Sequence, residues 1–127
     1  MAHAELAARI DSTLLRPEAT PDEVAAVCEQ AVSLGCAAAV VLPLHLALCV
    51  EIAGTLPTAP CTVAAFPTGG LTRDLLAAET SDAMDRGARA SANRTVSPHA
   101  EMDPRYRGPH CLWLTHPFVC RQARLMR

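Results

Sequence analysis

Four side chains near the end of the sequence are of the kinds that bind transition metals. Cys111, His116 and Cys120 follow one another at spacings of five and four residues, and His110 precedes the first of them. Thiolates and imidazoles are ligands that zinc takes in proteins. The pattern has no C-x-x-C pair, however, and Pro117 interrupts it, so we expect no metal site and no cofactor. A zinc-binding or interaction protein is kept as a less favoured alternative.

The basic side chains of this sequence restrict its chemistry further. All 11 basic residues of the 127-residue chain are arginine, and lysine is absent. A lysine amine can form a Schiff base with a carbonyl compound, whereas a guanidinium group stays protonated and does not form the imine. The sequence therefore excludes catalysis through a lysine imine by this chain.

Strand and helix signals alternate through the first 89 residues. The clearest helix begins with the capping box formed by Thr20 and Glu23 and ends at Gly35. Apolar runs ended by proline are typical of strands buried on both faces of a parallel sheet. The pattern predicts strands at 9–15, 37–42 and 61–66, helices at 20–35, 44–54 and 72–86, and a turn at 67–70. This order indicates an open α/β sheet or the opening units of a barrel.

Four segments in this region resemble deoxyribose-phosphate aldolases, in the order in which that family has them. Residues 10–20 resemble the opening pattern I-D-x-T-L-L-K-P-x-A-T, and residues 38–43 resemble the second strand. Residues 63–70 resemble the third strand with its F-P-x-G turn, and residues 72–89 resemble the next helix with its A-x-E and G-A-[DR] elements. The resemblance runs without a break over residues 9–89.

This resemblance implies a (β/α)8 barrel that reversibly cleaves 2-deoxy-D-ribose 5-phosphate to glyceraldehyde 3-phosphate and acetaldehyde without a metal. It also implies two lysines on later strands, one of which forms the Schiff base, and an aspartate on the fourth strand for proton transfer. None of the three has a match here, and residues 90–94 read Ala-Ser-Ala-Asn-Arg where the aspartate is expected. We therefore assign no catalytic residue.

Two positions of the family's site do match, at Asp11 and Thr13. The resemblance implies that the aspartate supports the lysine network and that the threonine lines the sugar-phosphate pocket, so we assign both as vestigial substrate-binding residues. On spacing alone, the same two residues are typical of a strand end capped by polar side chains.

The last part of the chain is a different kind of sequence. Residues 1–89 hold 11 acids and 5 arginines, whereas residues 90–127 hold 2 acids and 6 arginines and lose the hydrophobic period. A change of this kind is typical of reading the wrong frame of a GC-rich gene. We therefore divide the chain into a partial aldolase-type barrel, 1–89, and an irregular, poorly ordered tail, 90–127, and expect a frameshifted or truncated product.

Composition excludes several classes of protein. The net charge of −2 argues against nucleic-acid binding, and no apolar run is long enough to cross a membrane. The N-terminal residues do not form a secretory signal, so we expect a cytoplasmic protein. Four of the six cysteines, at 28, 36, 49 and 61, fall in apolar segments and are expected to be small buried hydrophobic residues.

The predicted fold is α/β, an incomplete (β/α)8 TIM-type barrel of about three β/α units. Such a piece would leave the third strand with an unpaired apolar edge and would expose the barrel-facing side chains, so we expect self-association. The predicted function is that of an aldolase-family chain without activity. The alternative is a non-catalytic module that binds a sugar phosphate.

Overall fold

The computed structural model describes residues 3–94 and 111–114, with side chains from His3 to Arg89. The helices are α1 (His3–Ala7), α2 (Pro21–Leu34), α3 (Leu46–Ala53) and α4 (Arg73–Asp85), and a turn of 3-10 helix at Pro43–His45 precedes α3. The strands are β1 (Asp11–Leu14), β2 (Ala38–Val41), β3 (Ala59–Ala64), β4 (Ala90–Arg94) and β5 (Cys111–Leu114).

The strands form one parallel sheet in sequence order, from β1 at one edge to β5 at the other. Asp11 lies beside Ala38 in the register of β1 and β2, and Ala38 lies beside Ala59 in that of β2 and β3. Neighbouring parallel strands need a crossover connection, which α2, α3 and α4 supply between successive strands. The predicted alternation of strands and helices, typical of the first units of a barrel, is confirmed.

The expectation that the third strand has an unpaired edge is wrong. Residues 61–64 of β3 pair with β4, so that Cys61 lies beside Ala90 and Ala64 beside Asn93. β5 then pairs with β4. The five residues of β4 are small or polar and carry no apolar period, so this strand is specified by its pairing with neighbouring strands and not by its own sequence pattern. The division of the chain at residue 89 stays a prediction, and most of the tail lies outside the described residues.

The third strand begins and ends two residues earlier than predicted. Pro60 lies inside β3, where its carbonyl oxygen accepts a hydrogen bond from the Arg89 backbone N–H at 2.8 Å. The strand stops before Ala65, whose φ of 55° is in the left-handed region. A backbone in that region cannot continue an extended strand.

Helix α2 has the ends that its sequence predicts. The Glu23 backbone N–H donates to the Thr20 hydroxyl at 3.3 Å, and the Thr20 N–H donates to the Glu23 carboxylate at 2.9 Å. The pKa of Glu23 is lowered first by that Thr20 N–H and then by the Arg16 guanidinium. Gly35 ends the helix with φ 69°, a conformation that glycine adopts without steric cost.

The core between helices and sheet uses alternate residues of β2. Ala39 and Val41 pack under α2 and α3 in a cluster with Val24, Cys28 and Cys49, and each of these five is fully buried. Small residues dominate this cluster, which lets the helices lie close to the sheet. The cysteines at 28, 36, 49 and 61 are all buried, as predicted.

On β2 and β3 the opposite face of the sheet is also buried, which contradicts the expected exposure of the barrel-facing side chains on these two strands. Val40 and Val63 are 5% and 6% exposed and form a cluster with Ala38 and Cys61. The half-buried side chains Leu15, Leu42 and Ala59 pack against this cluster. Neighbouring side chains on the same face therefore cover one another.

None of the helices in the described part of the chain is long and apolar enough to cross a bilayer.

The capping box gives a direct test of this account of α2. Thr20→Ala removes the acceptor for the Glu23 N–H, and we expect the free energy of unfolding to fall by about 1 kcal/mol, measured by urea denaturation. Thr20→Ser keeps the hydroxyl and should recover most of this loss. Ser81→Ala, at an exposed position inside α4, is the control and should change stability by less than about 0.5 kcal/mol. Equal losses for Thr20→Ala and Ser81→Ala would contradict the capping role.

Candidate functional site

The loop after β3 lies at the end of the sheet where parallel α/β folds place their sites. It runs over residues 65–70 from the carboxyl end of β3 toward α4. In barrels and open parallel sheets, ligands bind at the carboxyl ends of the strands. The candidate site is therefore built from this loop and the face of the sheet that carries Asp11 and Thr13.

Glu79 on α4 sets the conformation of this loop. Its carboxylate oxygen Oε2 accepts a hydrogen bond from the Ala65 backbone N–H at 2.9 Å. The Ala65 carbonyl accepts from the Gly69 N–H at 2.6 Å, and the Gly70 N–H donates to the Thr68 hydroxyl at 3.2 Å. The Phe66–Pro67 peptide bond within the loop is cis. The turn predicted at 67–70 is confirmed, and the backbone N–H at its entry is satisfied from α4.

Glu79 was not singled out from the sequence, although a signal was present. It is the glutamate of the A-x-E element in the helix that resembles the aldolase family. From the helical pattern alone, such a residue is expected on a half-buried helix face and is assigned no particular role. Only the folded chain shows that its carboxylate reaches back to the preceding loop.

Asp11 and Thr13 lie on the sheet face that would point into a closed barrel. Alternation along β1 places them on the same side as Leu15, which packs against the cluster of Val40 and Val63. Asp11 is half-buried, whereas Thr13 is exposed and donates its hydroxyl to the Asp11 carbonyl at 3.1 Å. This hydrogen bond between a side chain and the backbone two residues away is the polar capping that the spacing of the two residues predicts. The substrate-binding role of both residues stays a prediction.

The register separates these two residues from the loop after β3. Thr13 is level with Val40, and Val40 is level with Cys61. Ala65 follows Cys61 by four residues, which is a rise of about 13 Å along an extended strand. The structure therefore places Asp11 and Thr13 nearer the amino ends of the strands, whereas the loop lies at their carboxyl ends.

The fourth strand is present, but it does not carry the expected aspartate. β4 runs from Ala90 to Arg94, and its entry is fixed by Arg89. The Arg89 side chain donates from Nη2 to the Leu56 carbonyl at 2.7 Å and to the Thr58 carbonyl at 2.5 Å. The fourth strand therefore consists of Ala-Ser-Ala-Asn-Arg, and none of these residues provides a carboxylate for proton transfer.

No metal centre is visible in the part of the chain that the structure describes. Within residues 3–94 and 111–114, no group of three or more histidine, cysteine, aspartate or glutamate side chains could hold a metal ion. Of the zinc-like pattern, Cys111 begins β5, whereas His110, His116 and Cys120 lie outside the described residues.

Sequence comparison connects this geometry to known proteins. The chain matches no protein-family model. It is 38% identical over 84 residues to a deoxyribose-phosphate aldolase of Methanothermobacter thermautotrophicus, and 34% identical over 111 residues to one of a Cyanothece species. These matches cover 66% and 80% of this chain. The chain is related to the deoxyribose-phosphate aldolases.

Solved structures of aldolases support the same relationship. A deoxyribose phosphate aldolase from Aeropyrum pernix, described as tetrameric, superposes with a TM-score of 0.67 at 30% identity and covers 72% of this chain. A putative deoxyribose-phosphate aldolase from Coccidioides immitis superposes with a TM-score of 0.69 at 25% identity. The predicted resemblance to deoxyribose-phosphate aldolases and the predicted incomplete barrel are confirmed.

The chain spans less than half the length of these relatives. It covers 38% of the Methanothermobacter aldolase and 49% of the Cyanothece aldolase, and 37–39% of the two aldolase structures. β1 to β3 with the helices α2 to α4 are three of the eight β/α units of such a barrel, which agrees with this share.

The left-handed backbone at Ala65 gives a test of the loop geometry. Ala65→Gly removes the steric cost of a positive φ at a residue with a Cβ atom, but it also removes a buried methyl group. These two effects oppose each other, so we expect the free energy of unfolding to change by less than about 0.5 kcal/mol. Ala64→Gly, one residue earlier in the extended strand, should lower the free energy of unfolding by about 1 kcal/mol, because glycine is unfavourable there and a buried methyl group is lost. Urea denaturation measures both changes. An equal loss of stability in both variants would contradict the strained conformation at Ala65.

Proposed function

We propose that this chain forms the first strands of a deoxyribose-phosphate aldolase barrel and that it has no aldolase activity by itself. The family's reaction, reversible cleavage of 2-deoxy-D-ribose 5-phosphate to glyceraldehyde 3-phosphate and acetaldehyde, needs an amine that becomes an imine and accepts the electron pair of the broken C–C bond. The absence of lysine from all 127 residues is the observation that carries the proposal.

The described side chains offer no substitute for that amine. The arginines stay protonated and cannot act as the nucleophile. The residues level with Asp11 and Thr13 on the neighbouring strand, Ala38 and Val40, are apolar. The fourth strand lacks the aspartate for proton transfer. The chain therefore has neither the amine that would form an imine with a carbonyl substrate nor the fourth-strand carboxylate that would transfer a proton.

A non-catalytic sugar-phosphate-binding module is the second candidate. The feature that favours it is the ordered loop at 65–70, which Glu79 holds at the carboxyl end of β3. This position is where parallel α/β folds bind ligands. Saturable binding of 2-deoxy-D-ribose 5-phosphate in calorimetry, reduced by Asp11→Ala, would favour this candidate. Zinc binding remains the least favoured alternative, since its pattern has no C-x-x-C pair and Pro117 interrupts it.

Self-association follows from the open sheet. In the described residues β1 pairs on one side only, with β2, and an open strand edge is a template for pairing with another chain. We expect light scattering of the purified chain to report a mass above that of the 13.5 kDa monomer. A monodisperse monomer across the accessible concentration range would contradict this expectation.

Reductive trapping tests the catalytic part of the proposal. Purified chain is incubated with 2-deoxy-D-ribose 5-phosphate or acetaldehyde, reduced with sodium borohydride and examined by mass spectrometry. We expect no side-chain adduct, because borohydride fixes imines and the chain has no lysine to form one. An adduct at the terminal amine is separated from a side-chain adduct by peptide mapping.

The matched control is the Methanothermobacter aldolase, whose named activity gives a positive signal under the same conditions. A stoichiometric adduct that depends on the native fold and maps to an internal residue of this chain would overturn the proposal. Loss of that adduct after unfolding in urea distinguishes a folded site from nonspecific reaction.

A further inference from the structure

The open edge of β1 carries backbone groups that can bond to a further strand. Within residues 3–94 and 111–114, β1 pairs only with β2. The Ile10 carbonyl accepts a hydrogen bond from the Ala37 N–H at 2.9 Å, so it points toward β2. Successive residues of an extended strand direct their N–H and carbonyl groups to opposite edges. The backbone groups of Asp11 and Thr13 therefore point to the open edge, and those of Ser12 point to β2.

We propose that β1 pairs antiparallel with β1 of a second copy of this chain, about a two-fold axis that passes through Ser12. This inference rests on the self-association proposed above and names the surface that produces it. The sheets of the two copies become one continuous sheet. In this register Asp11 lies opposite Thr13 of the second copy, and Ile10 lies opposite Leu14 of the second copy.

The two faces of the sheet restrict the possible registers. Leu14 packs on the side that the helices cover, and Leu15 packs on the opposite side. A two-fold axis perpendicular to the sheet keeps the helices of both copies on one side, so residues that lie opposite each other must point to the same face. The axis therefore passes through a residue of β1 and not between two residues.

Charge and polarity exclude two of the remaining registers. An axis at Asp11 would place the Asp11 carboxylates of the two copies directly opposite each other, and like charges in that position are destabilising. An axis at Thr13 would place Asp11 opposite Leu15 and Ile10 opposite Arg16. Both of those pairs set an apolar side chain against a charged one.

The axis at Ser12 satisfies the backbone groups at the edge. The Asp11 N–H donates to the Thr13 carbonyl of the second copy, the Asp11 carbonyl accepts from the Thr13 N–H of the second copy, and the axis repeats both bonds. The Thr13 hydroxyl already donates to the Asp11 carbonyl at 3.1 Å, and a carbonyl oxygen has a second lone pair for the new bond. An axis at Leu14 would instead place Asp11 opposite Pro17, which has no N–H to donate.

Side chains on both faces of β1 also find matching neighbours in this register. Ile10 is 44% exposed just before β1. It lies on the same side of the strand as Leu14, so the two form an apolar cross-strand pair between copies. On the other face Thr13 of the second copy comes beside Asp11. The second copy therefore contributes a side chain to the sheet face of the candidate site.

A cysteine placed on the axis detects this register. The Ser12 residues of the two copies form a pair without backbone hydrogen bonds, with Cα atoms about 4.5 Å apart, which is within the range for a disulfide. We expect Ser12→Cys in the full chain to give a disulfide-linked dimer under mild oxidation. Cleavage after glutamate should join peptide 6–18, which contains no natural cysteine, to a second copy of itself.

Thr13→Cys is the matched control for this cross-link. It lies in the same peptide, but in the proposed register its Cα atoms are about 8 Å apart between copies, which is beyond the reach of a disulfide. Its yield of self-joined peptide 6–18 should stay near zero. The unsubstituted chain reports dimers linked through its own six cysteines.

Proline tests the backbone bonds separately. Thr13→Pro removes an N–H that points to the open edge, where strands tolerate proline. We expect light scattering to report the 13.5 kDa monomer for this variant, with the circular dichroism of the unsubstituted chain. Ser12→Pro removes an N–H that points to β2 and should instead lower the melting temperature.

Two results would overturn the pairing at Ser12. One is a yield of self-joined peptide 6–18 that is no higher for Ser12→Cys than for Thr13→Cys. The other is a folded Thr13→Pro chain that keeps the mass of the unsubstituted assembly. Either result with a mass above the monomer would assign self-association to another surface, whereas a monomeric unsubstituted chain would overturn both statements. The borohydride experiment tests the missing imine chemistry independently of this pairing.

Discussion

The burial of β2 on both faces is the constraint on which the rest of this structure depends. All four residues of Ala38–Val41 are buried, and the strand pairs with β1 on one side and β3 on the other. A strand without a solvent face needs cover on both sides. Helices α2 and α3 provide it on one side, and side chains of the neighbouring strands provide it on the other. The buried Thr62 hydroxyl of β3 donates to the Val41 carbonyl at 2.8 Å, so the polar group there is also satisfied.

Much of this scaffold could be predicted because local signals and packing agree. The capping box at Thr20 and the glycine at 35 define α2 from both ends, and the apolar run at 37–42 defines a strand covered on both faces. Motif resemblance then predicted the relationship to deoxyribose-phosphate aldolases and the barrel type, which the comparisons with those aldolases confirm.

The parts that could not be predicted depend on contacts distant in sequence. β4 has no hydrophobic pattern and is specified by pairing with β3, with Arg89 bonding the carbonyls of residues 56 and 58 at its entry. The bond from Glu79 to Ala65 joins a helix to a loop 14 residues earlier. The burial of Val40 and Val63 depends on which side chains from other segments pack against them. Periodicity within a segment contains none of this information.

The scaffold and the chemistry of the aldolase family are separable in this chain. The strands, crossover helices and third-strand loop need only small apolar residues, caps and a turn, all of which are present. The reaction needs one amine and a carboxylate at defined positions, and the chain has neither at the matched positions. A fold shared with aldolases over about 70% of this chain therefore carries no implication that the reaction is retained.

The most direct test of this separation is the release of acetaldehyde from 2-deoxy-D-ribose 5-phosphate by the purified, folded chain, measured against the Methanothermobacter relative at equal concentration. Our account predicts release at the rate of a buffer blank, while the relative gives a clear signal. Turnover by this chain that saturates with substrate and disappears on unfolding would contradict it, because a lysine-free polypeptide would then be supplying the electron sink by another group.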